Sequence, residues 1–134
     1  MNRALPQETS VDNKIDEKFI EILTFAISVR TRTIPQTLSY IAGADRIIPR
    51  VAVLFSGGLD CSVIAWLIHT LLPPSDPIDL INVAFENPRS VAAQKTRPQD
   101  VYNICPDRIT GRSGWEELRR LTSKMGRQWR FVEV

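Results

Sequence analysis

The first regular pattern of hydrophobic and polar positions is helical and runs from Ile15 to Arg32. Its apolar residues recur at steps of three and four, the spacing of one helix face: Ile15, Phe19, Ile22, Leu23, Ala26 and Ile27. Charged residues fill most of the opposite face, and Pro35 prevents the helix from continuing. The pattern therefore predicts an amphipathic helix. The polar segment 1–14 lacks the apolar stretch of a signal peptide and is predicted to be a disordered tail.

Two buried strands are predicted on either side of a second helix. Val51 to Phe55 is a continuous apolar run without alternation, which is typical of a parallel strand covered on both faces. A glycine turn follows, and apolar residues then cover most of a helix surface until Pro73-Pro74. Ile78 to Phe85 repeats the buried-strand pattern. This order predicts a βαβ unit with a right-handed crossover.

The remaining segments predict two long loops, one more helix and a third strand. Stretches 34–49 and 86–105 show no sustained period. Ser113, with Glu116 three residues later, forms the pattern of a capping box that starts a short helix to about Lys124. Trp129 to Val134 alternates as a strand does. The predicted fold class is α/β: a three-layer Rossmann-like parallel sheet over 15–134, truncated after about three strands and preceded by a helix.

Composition narrows the class of protein. The 134 residues are 43% hydrophobic and 24% charged with a formal net charge of +2, which fits one globular domain. A charge so close to zero argues against a large nucleic-acid interface. The two cysteines match neither a metal site nor a disulfide framework, and no apolar run reaches the ~18 residues of a membrane helix. A cytoplasmic location is the expectation.

The candidate chemistry lies in the glycine turn between the first strand and the second helix, Ser56-Gly57-Gly58-Leu59-Asp60-Cys61-Ser62. A helix N-terminus presents unpaired N–H groups and a partial positive charge, so it can bind an anion without a basic side chain. Two glycines allow a sharp turn and a close approach to phosphate. Asp60 would repel a bare phosphate, so its presence implies a shared divalent cation. The loop is neither a Walker A loop nor a G-x-G-x-x-G loop.

This loop resembles the S-G-G-x-D-S loop of the ATP-pyrophosphatase superfamily, which cleaves ATP between its α- and β-phosphates and adenylates a carbonyl oxygen. The string VAVLFSGGLDCSVIA, with PIDLINVAFENP, CPDRITGRSGWEEL and WRFVEV, is similar to the asparagine synthetase domain-containing proteins. The similarity runs from about Phe19 to Val134. It implies ATP and Mg²⁺ as cofactors and a role in asparagine biosynthesis. It also implies aspartate as a substrate and a glutaminase domain, or another chain that completes the sheet, as a partner.

The resemblance assigns functional roles only to positions that match. The matching cofactor-binding positions are Leu54, Ser56, Gly57, Gly58, Asp60, Cys61, Ser62 and Val83. Asp60 matches a magnesium-binding position, and Leu54 and Val83 match positions that line the adenine pocket. Cys61 stands where a serine is usual, either as a weaker donor or as a tolerated small residue. No catalytic residue is assigned, and the family's later motifs are not in the chain, so the isolated chain is expected to be inactive.

Three functions remain open from the sequence. The first is ATP binding within an asparagine synthetase-like amidotransfer system. The second is another ATP-pyrophosphatase activity such as tRNA modification, against which the lack of a Cys-x-x-Cys pair weighs. The third is a non-catalytic remnant that binds nucleotide or docks a partner.

Four features outside the loop also carry expectations. His69 is predicted to be a surface or half-buried structural residue. The basic C-terminal residues are interpreted as a solvated face. Asp107-Arg108, ahead of Thr110-Gly111, either orders a turn beside the nucleotide or fixes the approach to the Ser113 helix. In related sheets the first strand has later strands on its far side, so Val51 to Phe55 is expected to be an open edge that favours self-association.

Overall fold

A computed structural model describes residues 13–35, 48–85 and 101–134, and the predicted tail and most of both predicted loops lie outside these ranges. The elements are α1 (Asn13–Arg32), β1 (Val51–Leu54), α2 (Leu59–Leu71), β2 (Ile78–Asn82), α3 (Pro106–Leu121), a 3₁₀ helix (Ser123–Met125) and β3 (Trp129–Glu133). The three strands form one parallel sheet in the order β1-β2-β3. The predicted α/β class is confirmed. None of the described helices combines the length and the hydropathy that a bilayer span requires.

Within the described ranges, α2 and α3 cover one face of the sheet and the opposite face of β1 is open. The covered face is built from buried apolar side chains of all three strands: Val51, Val53, Phe55, Ile78, Leu80 and Trp129. The alternate residues of β1, Ala52 and Leu54, are exposed, and Leu54 reaches 74%. The prediction that β1 is buried on both faces is therefore wrong, because no described element packs over Leu54. β1 is also an edge of the described sheet, the position expected for Val51 to Phe55.

The α3 helix begins seven residues before the predicted capping box. It starts at Pro106 with Cys105 as its N-cap, and Ser113 lies inside the helix rather than at its start. Proline suits the first turn because its missing N–H would have no partner there. Gly111 and Gly114 stay helical despite their low propensity because they allow close packing on the sheet. A Cβ on Gly114 would lie 3.1 Å from the Phe55 ring.

The packing of α1 against α2 uses only part of the predicted apolar face. Ile27 is buried in the core and Leu23 packs against it. Ile15, Phe19 and Ile22, from the same predicted face, are each more than half exposed. The periodicity thus predicts the helix correctly but overstates how much of it the described core covers.

Arg127 holds the C-terminal end of α2 against the segment that leads into β3. Its buried guanidinium donates to the carbonyl oxygens of His69 (2.8 Å), Leu72 (2.7 Å), Pro73 (2.7 Å) and Asp76. Its Nε donates to Nδ1 of His69 at 2.9 Å, so all five N–H donors of the side chain are used. The last carbonyls of a helix have no N–H donors within the helix, and the side chain of Arg127 supplies donors to them. Burial lowers the pKa of Arg127, and the charge of Asp76 opposes that shift.

The hydrogen bond from Arg127 fixes the tautomer of His69. Nδ1 accepts a hydrogen bond from Arg127, so a neutral ring carries its own proton on Nε2, which lies 3.1 Å from Sδ of Met125. The ring is 6% exposed and also contacts Trp66 and Trp129. His69 is therefore structural, as predicted, but buried.

Protonation of His69 is expected to destabilise the fold. Burial, followed by the charge of Arg127, lowers the pKa of His69 below its ordinary value of 6.5. The folded chain then binds fewer protons there than the unfolded chain. The unfolding free energy should be highest above pH ~6.5 and decrease as the pH falls from that value toward the folded pKa. His69 is the only histidine in the sequence, so urea unfolding between pH ~7.5 and ~5.5 isolates its contribution.

The matched control is His69→Asn, whose side-chain oxygen can accept the Arg127 hydrogen bond but cannot titrate. Its unfolding free energy should change much less over the same pH range. Identical pH slopes for the two proteins would show that His69 does not control this transition.

Candidate nucleotide-binding site

The loop between β1 and α2 takes its shape from two glycines. Gly57 has a φ of +84°, in the left-handed region that favours glycine. Gly58 is extended (φ −71°, ψ 170°) and forms the N-cap of α2, and no side-chain hydrogen bond caps the N-terminus of this helix. The unpaired N–H groups in the first turn of α2 therefore have no side-chain acceptor at the cap, and they remain available to an anion.

The small polar side chains of the loop bond mainly to the loop itself. Oγ of Ser62 donates to the carbonyl oxygen of Gly58 at 2.8 Å, and Sγ of Cys61 donates to the same oxygen at 3.2 Å. Oγ of Ser56 lies 3.7 Å from Sγ of Cys61 on the exposed side of the loop. In this conformation the free donors of the loop are backbone groups. The hydroxyls of Ser56 and Ser62 already have partners within the loop.

Asp60 is exposed in the first turn of α2, close to the positive end of the helix dipole. In the described ranges, no group of three or more His, Cys, Asp and Glu side chains is arranged to hold a metal ion. Magnesium in nucleotide sites is commonly held by one or two carboxylates, with phosphate oxygens and water completing its shell. Asp60 therefore fits a magnesium ion that arrives with a nucleotide, but not an independent metal site.

The two residues predicted to line an adenine pocket lie on the open face of the sheet, where the strands end. Leu54 is the last residue of β1 and pairs in register with Ile81 of β2. Val83 is two residues beyond Ile81, and because side chains alternate along a strand it falls on the same face. Ligands of open parallel sheets bind beyond the carboxyl ends of the strands. The role of these two residues in an adenine pocket stays a prediction from the resemblance.

The α3 helix supports the loop through residues whose role the sequence leaves open. The Thr110 hydroxyl lies 2.7 Å from the carbonyl oxygen of Ser56 and 2.9 Å from that of Pro106, and its single hydrogen is shared between them. A Cβ on Gly57 would collide with the carbonyl group of Thr110 and would lie 2.7 Å from the nitrogen of Gly111. Thr110 and Gly111 thus lie in the second turn of α3, directly against the loop.

Asn82, at the end of β2, joins three elements behind the loop. Its side chain is fully buried, and Nδ2 donates to the carbonyl oxygens of Phe55 (2.8 Å) and Asp107 (2.9 Å). Oδ1 has no hydrogen-bond partner in the described part of the chain. The amide therefore fixes the start of the loop to the first turn of α3. The sequence does contain a signal for this role of Asn82. A polar residue on the covered face of a strand is expected to form hydrogen bonds.

Charged residues fix the other side of α3 against β3. Arg112 binds Glu133 through two hydrogen bonds, from Nε at 2.6 Å and from Nη2 at 3.0 Å. The hydrogen bond from Arg112 holds the pKa of Glu133 below its ordinary value. Arg108 is buried and donates to the carbonyl oxygens of Asn82 (3.2 Å) and Val134 (2.8 Å). Both arginines therefore position α3, and with it the contact between Thr110 and the loop.

Comparisons with known proteins give matches among curated proteins, whereas no family model and no solved structure matches the chain. The chain is 32% identical to asparagine synthetase domain-containing protein 1 of Homo sapiens, over 90% of its own length and 23% of that protein. It is 39% identical to asparagine synthetase domain-containing protein CG17486 of Drosophila melanogaster, over 63% of the chain and 14% of that protein. It is 54% identical to asparagine synthetase domain-containing protein YML096W of Saccharomyces cerevisiae, over 30% of the chain and 9% of that protein.

The chain spans about a quarter of the length of the Homo sapiens and Gallus gallus relatives that it matches. The Homo sapiens match covers nine-tenths of the chain, so it extends well beyond the glycine loop. Over most of its length, therefore, this chain belongs to the family of asparagine synthetase domain-containing proteins.

Proposed function

We propose that the chain is the ATP-binding part of an asparagine synthetase-like amidotransfer system. The observation that carries this proposal is the start of α2, where Gly57 and Gly58 leave the first-turn N–H groups available beside the exposed Asp60. The family of the chain supplies the second half of the proposal, asparagine biosynthesis, through the names of its relatives.

Each part of the nucleotide has a matching feature in this proposal. The first turn of α2 binds the phosphates through backbone donors. Asp60 shares a magnesium ion with phosphate oxygens, and Leu54 and Val83 contact the adenine ring. In a complete amidotransfer system, ATP bound in this way would be cleaved between its α- and β-phosphates to adenylate the carboxylate of aspartate, with release of pyrophosphate. The described residues of the chain bind and orient ATP, and none of them is assigned a chemical step.

A non-catalytic nucleotide-binding function is the second candidate, and one observation favours it. Asp60 is the only acidic residue among the predicted site positions, and the described ranges hold no metal-ligating cluster around it. One exposed carboxylate can accompany a magnesium-bound nucleotide. It offers little additional stabilisation of the charge that develops when ATP is cleaved.

The arrangement of the arginines argues against a nucleic-acid function. Arg108 and Arg127 are buried and bonded to backbone carbonyls, while Arg112 and Arg130 pair with Glu133 and Asp79. A phosphate-binding surface needs exposed cations without such partners. Four of the basic residues in the C-terminal third are thus paired within the fold, whereas Arg119, Arg120 and Lys124 are exposed.

The first prediction of this function concerns Gly57. ATP with Mg²⁺ should bind and shift the amide NMR signals of Gly57, Gly58 and Ser62. Gly57→Ala should weaken this binding at least ~10-fold, because alanine is strained at positive φ and its Cβ would displace α3 from the loop.

Gly126→Ala is the matched control. Gly126 also has a positive φ, +69°, but nothing lies within 4 Å of the Cβ that alanine would add. This variant should carry a similar backbone cost and still bind ATP. Unchanged spectra of the folded wild-type protein at millimolar ATP would refute the proposal, and so would equal losses in the two variants.

Asp60→Asn should separate the effect of magnesium from that of the phosphates. With Mg²⁺ present, wild-type protein should bind ATP more tightly than it does in EDTA, because the ion bridges Asp60 and the phosphates. The variant should lose most of this difference, and in EDTA it should bind ATP at least as well as wild type, since a repulsive charge is removed.

Calorimetric titrations of ATP with and without Mg²⁺ measure both effects. Asp107→Asn removes an acidic residue from the first turn of α3 and should leave the magnesium dependence intact. A magnesium dependence that persists in Asp60→Asn would exclude Asp60 as the metal-binding residue.

Turnover tests whether the isolated chain is itself a complete ligase. We expect the isolated chain to bind ATP without releasing pyrophosphate, because none of its described residues is assigned a chemical step. A coupled phosphate assay with pyrophosphatase, run with and without aspartate, measures this. Aspartate-dependent release by purified protein would instead favour a complete ligase activity.

A further inference from the structure

The α1 helix carries an exposed apolar stripe beside the strip that packs on α2. Its members are separated by four, three, four and three residues: Ile15, Phe19, Ile22, Ala26 and Val29. These residues are called the α1 seam. Steps of four and three are the heptad spacing of helices that pair side by side. Apart from Ala26, each member of the seam is at least 50% exposed, so the described core does not use it.

The seam and the strip that faces α2 point in different directions. Leu23 and Ile27 pack toward the core, and at 100° per residue they lie roughly 80° and 120° around the helix from the middle of the seam. A helix placed on the seam would therefore lie beside α1 without displacing α2. Phe25, 69% exposed, borders the seam and adds to its apolar area.

We propose that the α1 seam pairs with the α1 seam of a second copy of this chain, with the two helices antiparallel. One register matches large side chains to smaller ones along the whole contact. It places Ile22 against the partner's Ala26 and Phe19 against the partner's Val29. The two-fold axis repeats both contacts, so the same small set of residues is buried twice. Alternation of large and small residues across facing positions is how paired helices fill the space between them.

Charge complementarity selects the antiparallel orientation. Asp16 lies in the first turn of α1, and Arg30 and Arg32 lie in the last. In the proposed register Asp16 faces the partner's Arg30, and the two-fold axis repeats this pair. Parallel helices would instead bring the basic last turns together, where like charges repel, and would align the two helix dipoles.

Two like-charge pairs arise in the same register, and an existing contact reduces their effect. Lys18 lies on the flank that would face the partner's Arg32, and the two-fold axis repeats this pair. The ammonium group of Lys18 already binds the carboxylate of Glu21 at 2.9 Å within α1. The two opposite-charge pairs are therefore unscreened within α1, whereas the two like-charge pairs are partly neutralised.

The oligomeric state tests the proposal by sedimentation velocity over a range of protein concentrations. Wild-type protein should be a dimer that dissociates on dilution. Ile22→Lys should raise the dimer dissociation constant at least ~100-fold, because each dimer loses two buried isoleucines and gains two lysines in an apolar contact. Ile22 is 58% exposed, so the variant should keep its circular dichroism spectrum and melting temperature.

Leu54→Lys is the matched control because it places the same charge on the other exposed apolar surface, the open face of the sheet. It should remain dimeric. Dissociation of Leu54→Lys but not of Ile22→Lys would move the interface to the sheet and overturn the proposal. A wild-type monomer at all concentrations would also overturn it and would assign the seam to another polypeptide segment.

Cysteine cross-linking tests the orientation. Ile22→Cys and Ala26→Cys are prepared separately and treated with a mild oxidant, alone and as a mixture. The antiparallel register predicts a 22–26 disulfide between copies in the mixture, identified by peptide mass spectrometry, and no 22–22 or 26–26 link in either protein alone. Links within each single variant would show a parallel pair and would contradict the proposed register.

Discussion

The loop and α3 meet at a backbone contact that only glycine permits. Gly57 lies against the carbonyl group of Thr110, with its φ in the left-handed region, so both its conformation and its surroundings exclude a side chain. Gly111 and Gly114 serve the same approach from the helix side, against Asn82 and Phe55. Because the contact between Gly57 and Thr110 joins main chain to main chain, the shape of the candidate phosphate site depends directly on where α3 lies.

The position of α3 is in turn fixed by polar side chains that end inside the fold. Asn82 uses both amide hydrogens to hold the end of β1 to the start of α3, and Arg108 and Arg112 hold the same helix to β3. Arg127 likewise holds the C-terminal end of α2 to the segment that leads into β3, through hydrogen bonds to backbone carbonyls. Buried polar groups are costly unless they are paired, so these contacts specify one arrangement of helices on the sheet rather than simply adding attraction.

Local patterns were sufficient for some parts of this structure and not for others. The glycine loop, α2 and the order of the strands are predictable because their signals lie within a few consecutive residues, such as Gly57-Gly58 after an apolar run. The start of α3 is not, since Ser113 and Glu116 form a valid capping box that tertiary packing overrides in favour of Pro106. The prediction that β1 is buried on both faces was wrong for a related reason. An apolar run indicates that a strand can be buried, but it does not show whether another element of the described structure covers each face.

Gly58 has a consequence for how ligand and fold are related. Serine, aspartate or asparagine at this N-cap would stabilise α2 by roughly a few tenths of a kcal/mol relative to glycine, by bonding a first-turn N–H group to a side-chain oxygen. Glycine has no side-chain oxygen to make that contact, so the first-turn N–H groups of α2 lack a capping acceptor unless a ligand provides one. A bound anion would act as the missing cap. Residues that would make the empty protein more stable at this position are then the same residues that would compete with its ligand.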